Sequence, residues 1–148
     1  MGPAPTEYSL DATYYRTALL LGLVRARTVQ QWAEQVIARQ AHPPAAFLEV
    51  ASVSDHDLSA LRRALWPLVE DPEPPTVVER LLALLSTDLA AGRRSLADTL
   101  TVLRQMRGML RLPPQIYAEL NATLVDHAAE GATRGAIAAW LKTFECRP

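Results

Sequence analysis

Three Pro-Pro pairs divide this chain into four segments, and each pair stands directly before a segment with helical periodicity. The pairs are Pro43-Pro44, Pro74-Pro75 and Pro113-Pro114. Proline lacks a backbone N–H and fixes φ, so it ends a preceding helix and is well tolerated at the first position of a new one. Each segment is long enough for two helices. The pairs therefore predict an all-α chain built from successive helical hairpins.

The composition is that of a folded protein without a strong charge. The 148 residues are 49% hydrophobic and 21% charged, and the formal net charge is -1. Such a chain is neither disordered nor strongly attracted to polyanions, so nucleic acid is not favoured as a partner. Fourteen arginines against one lysine, with abundant alanine, are typical of proteins from GC-rich bacterial genomes.

The cysteine content and the length of the apolar runs indicate in which cellular compartment the protein is expected. The single cysteine, Cys146, cannot form an intramolecular disulfide, which favours a reducing cytoplasm. Uninterrupted apolar runs are far shorter than the roughly 20 residues that span a bilayer, and the N-terminus lacks the pattern of a secretory signal. We therefore expect a cytoplasmic protein without a membrane segment.

Helix boundaries can be predicted from capping residues and glycines. Ser, Thr and Asp side chains accept hydrogen bonds from the first free N–H groups of a helix, and glycine suits the left-handed residue after its end. The predicted caps are Asp11, Thr28, Ser54, Ser95 and Thr133, and the predicted stops are Gly22, Gly92 and Gly131. We expect an irregular bundle of about seven or eight helices. It would form a single domain over residues 11–148, behind a flexible leader over 1–10.

Apolar residues at helical spacing predict the core. The strongest predictions are Trp32, Leu81, Leu85, Leu120, Leu124 and Trp140, and the same stripes place Leu48, Leu58 and Tyr117 inward. Pro67 would clash with an earlier carbonyl of a continuing helix, so an end or kink is expected near Trp66.

The last two segments match each other when Pro74 is aligned with Pro113. The same alignment pairs Leu85 with Leu124 and Gly92 with Gly131. Two interpretations stay open, because two capped amphipathic helices of equal length would reproduce such matches without a duplication.

Candidate catalytic and metal-binding groups have structural explanations. Asp55 and Asp57 fall in the predicted first turn of a helix, where the helix dipole stabilises negatively charged carboxylates. Asp126 and His127 are adjacent on a predicted helix, so their side chains do not face each other. The hydroxyls stand at predicted caps, and no Gly-rich phosphate loop is present. We therefore predict no catalytic, cofactor or metal site, and an enzyme stays the third hypothesis.

Arginines concentrate around the Gly92–Arg111 region. Arg104, Arg107 and Arg111 fall on one helical face, with Arg93 and Arg94 at the preceding turn. One interpretation is a phosphate-contacting helix-turn-helix of a DNA-binding regulator. A second is a solvated face that pairs with acids such as Glu70, Asp71 and Glu73, and a third is contact with an acidic protein.

Tryptophan at a helix end is a candidate anchor for a partner protein, because this residue is enriched at binding hot spots. Trp66, beside Pro67, fits that description best. The predicted partner-binding residues are Trp66, Glu70, Asp71, Glu73, Arg93, Arg94, Arg104, Arg107 and Arg111.

Two stretches carry a resemblance to known proteins. The first is Leu19-Leu20-Leu21-Gly22-Leu23-Val24, followed by Thr28-Val29 and Trp32-Ala33-Glu34, and the second runs from Asp88 to Ser95. They resemble small all-helical bacterial proteins that are usually uncharacterised, some of which are thought to be toxin-neutralising immunity proteins. The resemblance implies a non-enzymatic module that binds another protein. It transfers no functional residue, and homo-oligomerisation stays open.

Overall fold

A computed structural model describes residues 7–69, 75–125 and 130–145 of the chain. These residues form eight α-helices and one 3-10 turn, and they contain no β-strand. The prediction of an all-α protein with about eight helices is confirmed. The contacts divide the chain into two compact units, Met1–Pro72 (unit 1) and Glu73–Pro148 (unit 2).

Unit 1 is organised around aromatic side chains. Its helices are α1 (Glu7–Leu20), α2 (Ala26–Arg39), α3 (Ala45–Ser52) and α4 (Leu58–Leu65), followed by the 3-10 turn Trp66–Leu68. Helix α2 packs broadly on α3, and α1 packs against α4 and the turn. The ring of Phe47 is buried, with its centroid 5.3 Å from that of Trp32 and 5.7 Å from that of Tyr8. These rings join the helices through edge contacts.

Unit 2 has an aliphatic core. Its helices are α5 (Pro75–Ala90), α6 (Leu96–Met109), α7 (Pro114–Val125) and α8 (Glu130–Glu145). Helix α5 packs extensively against α8, and α6 packs against α7. Its fully buried large side chains include Leu81, Leu82, Leu85, Leu103, Leu120, Ile137 and Leu141. Unit 2 therefore closes its first helix onto its fourth, as unit 1 does.

The first three helices of the two units correspond when Gly22 is aligned with Gly92. Helices α2 and α6 then coincide at both ends, and so do Pro43-Pro44 and Pro113-Pro114. Several buried positions also coincide, as in Val29 with Thr99, Trp32 with Val102, Ala33 with Leu103, Val36 with Met106 and Val50 with Leu120, whereas the buried Phe47 corresponds to the exposed Tyr117. The repeated element is thus the first three helices of a unit. The alignment of Pro74 with Pro113 does not describe it, because Gly131 lies inside α8 and not at a helix end.

Gly22 and Gly92 end α1 and α5 in the same way. Their φ angles are +73° and +74°, a left-handed conformation that residues with a Cβ atom rarely adopt. After Gly92, the N–H of Arg93 donates to the carbonyl of Asp88 at 2.9 Å, while Gly92 itself donates to Leu89 at 3.2 Å. These two bonds form a Schellman motif, and the predicted helix stops at Gly22 and Gly92 are confirmed.

We expect Gly92→Ala to lower the free energy of unfolding by about 1–2 kcal/mol, because alanine is strained at positive φ. Gly135→Ala is the matched change inside α8, where the added Cβ meets no atom within 4 Å. This second substitution should raise stability by roughly 0.5–1 kcal/mol. Urea unfolding followed by far-UV circular dichroism measures both, and equal effects of the two substitutions would contradict the conformational argument.

Several predicted helix starts are wrong. Helix α1 begins at Glu7, so Asp11 is interior and residues 7–10 are helical where a leader was predicted. The rest of that leader, residues 1–6, lies outside the described residues. Helix α2 begins at Ala26, which is buried, so Thr28 lies within the helix. In each helix a buried residue precedes the predicted cap, Ser9 in α1 and Ala26 in α2.

Local hydrogen bonds show which side chain is the N-cap of α4 and which is the N-cap of α6. The carboxylate of Asp57 accepts from the N–H of Ala60 at 3.0 Å, so Asp57 is the N-cap of α4 in place of Ser54. Ser54 instead accepts from the N–H of His56 at 3.2 Å. Ser95 caps α6 as predicted, by accepting from the N–H of Asp98 at 3.1 Å. Thr133 lies inside α8 and starts no helix.

The predicted core is largely confirmed, with four exceptions. Leu48, Leu58 and Tyr117 are exposed by 51%, 46% and 47%, because the apolar face of each helix is narrower than its sequence pattern. Trp140 is partly buried, since its indole N–H donates to the carboxylate of Glu119 at 2.9 Å. A tryptophan with a polar partner commonly lies at such a boundary. Within the described ranges, every helix is too short or too polar to cross a bilayer.

Candidate functional site

Trp66 is placed on the surface by the proline that follows it. Helix α4 ends at Leu65, as Pro67 predicts, and the chain turns through one 3-10 turn that Val69 closes with an N–H bond to the carbonyl of Trp66 at 3.0 Å. The Trp66 side chain is left 53% exposed, the largest exposed fraction among the large apolar residues that the structure describes. The prediction of an exposed tryptophan at this helix end is confirmed.

The guanidinium of Arg16 lies over the ring of Trp66. Its Cζ atom is 4.6 Å from the ring centroid, within the range of a cation–π contact. Arg16 is in α1 and Trp66 follows α4, so the packing of α1 against this part of the unit brings them together. The ring is therefore fixed in orientation from one side while it remains accessible to a partner.

Arg16 is in an unusual electrostatic environment. Burial, and secondarily the like charge of Arg62 on α4, lower the pKa of the Arg16 guanidinium. Its Nε atom is buried without a hydrogen-bond acceptor. Neither Arg16 nor Arg62 forms an ion pair with a carboxylate in the described part of unit 1, whereas Arg27 pairs with Glu34 at 3.3 Å. We call Arg16, Arg62 and Trp66 the Trp66 surface.

The repeat supplies an internal comparison for Arg16. In the alignment of Gly22 with Gly92 its counterpart is Ser86 of α5, a small and buried residue. Helix α5 packs more extensively on α8 than α1 does on α4. The shared helical plan therefore does not require an arginine at this position, and the cation over Trp66 is a property of unit 1 alone.

The acids predicted beside Trp66 lie outside the described residues. Asp126 and His127, for which no joint metal site was predicted, also lie outside them. The acids predicted beside Trp66 are Glu70, Asp71 and Glu73. Their assignment as partner-binding or pairing residues stays a prediction.

Arg93 and Arg94 bind an acid within their own turn. The Nε atom of Arg93 is 3.0 Å from one carboxylate oxygen of Asp88, and Arg94 approaches the other at 3.6 Å. The Asp88 side chain is 11% exposed, so this pair holds a nearly buried carboxylate at the end of α5. The two arginines thus stabilise the connection to α6, a role that their position after Gly92 did not reveal.

The predicted arginine stripe is shorter than its spacing suggests. Arg107 donates to the side-chain oxygen of Asn121 at 3.1 Å and is partly buried between α6 and α7. Arg111 lies beyond Met109, the last residue of α6, so it leaves the helical face that carries Arg104. Arg104 and Arg111 are exposed. One helix therefore presents a smaller basic face than the sequence pattern predicts.

The remaining titratable cluster forms part of a helix start. His56 and Asp55 are exposed and 3.5 Å apart, and Asp57 caps α4. In the described part of the chain, no three His, Cys, Asp or Glu side chains converge as metal ligands would. The Ser54 hydroxyl accepts from the backbone N–H of His56, and no described hydrogen bond joins it to the His56 ring.

Sequence reasoning missed Arg16, Arg62 and Asp88. One signal for Arg16 was available, because it is the only basic residue in α1 and follows two tyrosines. The cation–π contact between Arg16 and Trp66 could not be inferred, since the two residues are far apart in the sequence. Comparison with known proteins adds nothing to this assignment: no family model, no curated protein and no solved structure matches the chain.

Proposed function

We propose that this chain is a non-enzymatic module that binds another protein through the Trp66 surface. The observation that carries the proposal is an exposed tryptophan whose ring is held from one side by Arg16. A pre-oriented aromatic side chain loses little conformational freedom on binding and can bury a large apolar area in a partner pocket. Tryptophan and arginine are also the residue types most enriched at such hot spots.

The resemblance noted in the sequence gives this module a biological setting. We propose an immunity-type inhibitor that neutralises a toxin in the cytoplasm of a bacterium. An inhibitor of this kind needs a rigid scaffold and a complementary surface, and it needs no activated nucleophile. The described helices and their caps supply such a scaffold.

The proposal is preferred to the DNA-binding alternative on the basis of the arginine contacts. Among the described contacts, Arg93 and Arg94 are engaged with Asp88, and Arg107 with Asn121. Each contact with a DNA phosphate adds to the affinity for DNA and to the salt dependence of that affinity. A small basic face therefore supports only weak DNA binding. With a net charge of -1, the chain also lacks a general attraction for DNA.

Truncation of the aromatic anchor tests the proposal. Trp66→Ala should weaken binding of the native partner by about 2 kcal/mol or more, which is roughly a thirtyfold rise in Kd. Tyr117→Ala is the control, because Tyr117 is a similarly exposed aromatic residue in unit 2. The partner is first captured from native lysate with the full chain, and affinities are then measured by calorimetry.

Two outcomes would contradict the proposal. Equal affinities of the wild type and folded Trp66→Ala would place the interface elsewhere, and capture of no protein would remove the binding function. The inhibitor setting has its own test. The captured protein should arrest growth of a bacterial host when expressed alone, and co-expression of this chain should restore growth.

A further inference from the structure

The Trp66 surface carries two positive charges that the described residues of unit 1 do not neutralise. Arg16 lies over the Trp66 ring. Arg62 is in α4, four residues before Trp66, so the two share one face at the end of that helix; its charge, after burial, lowers the pKa of Arg16. The Arg62 guanidinium donates to the hydroxyl of Ser59 at 3.4 Å. Two like charges on adjacent helices repel each other, so an anion that contacts both is stabilised by both.

Two arginines of unit 2 are neutralised by a carboxylate, in contrast to Arg16 and Arg62. Arg93 and Arg94 share the carboxylate of Asp88 there, with distances of 3.0 and 3.6 Å. Two arginines around one carboxylate are therefore an arrangement that this protein already uses. At the Trp66 surface the two arginines are present and an equivalent carboxylate is not among the described residues.

We propose that Arg16 and Arg62 bind a carboxylate from an acidic segment of the partner protein, next to the face of Trp66. The inference rests on the proposed function, because it names the partner chemistry of that same surface. A guanidinium matches a carboxylate through planar, two-point hydrogen bonding, and a neighbouring tryptophan face excludes water from the contact. The partner residue is thus an Asp or Glu flanked by apolar side chains.

Carboxylate is favoured over the phosphates of nucleic acid by the size of the site. Duplex binding depends on many phosphate contacts along a basic face. Here one arginine lies over a single aromatic ring and a second stands one helical turn before it, and the chain as a whole has a net charge of -1. A duplex is accordingly an outcome of the test and not the proposal.

The test uses the full chain and a defined peptide probe. An acetylated pentapeptide of sequence EELEE is titrated against isotope-labelled protein at about 0.15 M salt, where interactions between distant surface charges are screened. The NMR signals of the Arg16 Nε–H and the Trp66 indole N–H report binding. We expect saturable shifts of both signals with EELEE and none with the neutral peptide QQLQQ.

Substitutions in α4 give the decisive comparison. Arg62→Gln should raise the Kd of EELEE by about tenfold, as expected when a charged hydrogen-bonding partner is removed. Arg63→Gln removes the same charge from the next residue, which is exposed on a different helical face, and should raise the Kd by less than about twofold. Arg62→Gln also leaves the contact between Arg16 and Trp66 in place, so folding and ring orientation can be checked by the indole signal.

Three results would overturn the proposal. The first is equal binding of EELEE and QQLQQ, and the second is an equal effect of the two arginine substitutions. The third is a short DNA duplex that binds more tightly than the peptide and loses affinity in Arg62→Gln.

The native partner separates this inference from the proposed function. If Trp66→Ala weakens partner binding and Arg62→Gln does not, the protein-binding function stands and the carboxylate assignment fails. If EELEE binds with the predicted dependence on Arg62 and no native protein does, the carboxylate site stands and the proposed function fails.

Discussion

Phe47→Ala is expected to lower the free energy of unfolding by about 3–5 kcal/mol. The Phe47 side chain is 1% exposed and its ring contacts those of Trp32 and Tyr8. Truncation would leave a cavity between α3 and the helices that surround it, and it would also remove two edge contacts between aromatic rings. Urea unfolding monitored by far-UV circular dichroism measures the change.

The neighbouring residue provides a control for this substitution. Leu48 belongs to the same short helix and is 51% exposed, so Leu48→Ala should change stability by less than about 0.5 kcal/mol. The contrast tests the observed face of α3, on which Phe47 is buried and Leu48 is exposed although both are apolar. A loss for Leu48→Ala as large as that for Phe47→Ala would mean that the helix is rotated.

Leu85→Ala in unit 2 should cost about 2–5 kcal/mol of unfolding free energy. Leu85 lies on α5 and is 0% exposed, within the aliphatic core that α5 and α8 build. Because aliphatic neighbours relax only partly around a removed side chain, most of the cost is lost burial and a residual cavity. The same urea experiment measures it.

Met109→Ala is the control for unit 2. This residue ends α6 and is 50% exposed, so its truncation should have little effect on stability. A change below about half a kcal/mol for Leu85→Ala would contradict the position assigned to α5 in the core of the unit.

Features that depend on a few adjacent residues could be predicted from the sequence. Gly92 ends α5 and Ser95 starts α6 because positive φ and an N-cap oxygen are local requirements. Pro67 ends α4 for an equally local reason, since it excludes the next hydrogen bond of the helix. These signals also placed Trp66 at an exposed turn.

Features that depend on packing could not be predicted in this way. Residues before Asp11 are helical in α1, and Ser9 among them is 7% exposed, so Asp11 does not cap this helix although its side chain could do so. The contact between Arg16 and Trp66 requires α1 to pack against α4 and its following turn. The apolar periodicity of α1 and of α4 shows which face of each helix is buried, but not which helix packs against it.

The repeat of unit 1 in unit 2 was hidden by compensating changes of size. Trp32 in α2 corresponds to Val102 in α6, and Ala33 corresponds to Leu103, so a large and a small residue exchange places. At these two positions one bulky side chain is kept while its place changes, which is a change that helical cores tolerate. The glycines and Pro-Pro pairs persist because their roles depend on backbone geometry.

The central claim, that the Trp66 surface contacts a protein partner, is tested most directly by cross-linking in the native host. A benzophenone amino acid is placed at position 66 in one variant and at position 117, another exposed aromatic position, in a second. Irradiation should join the position-66 variant to one discrete protein, whose acidic segment carries the cross-link, and should give no such product at position 117. A cross-link to nucleic acid at position 66, or a discrete protein product at position 117 alone, would contradict the account.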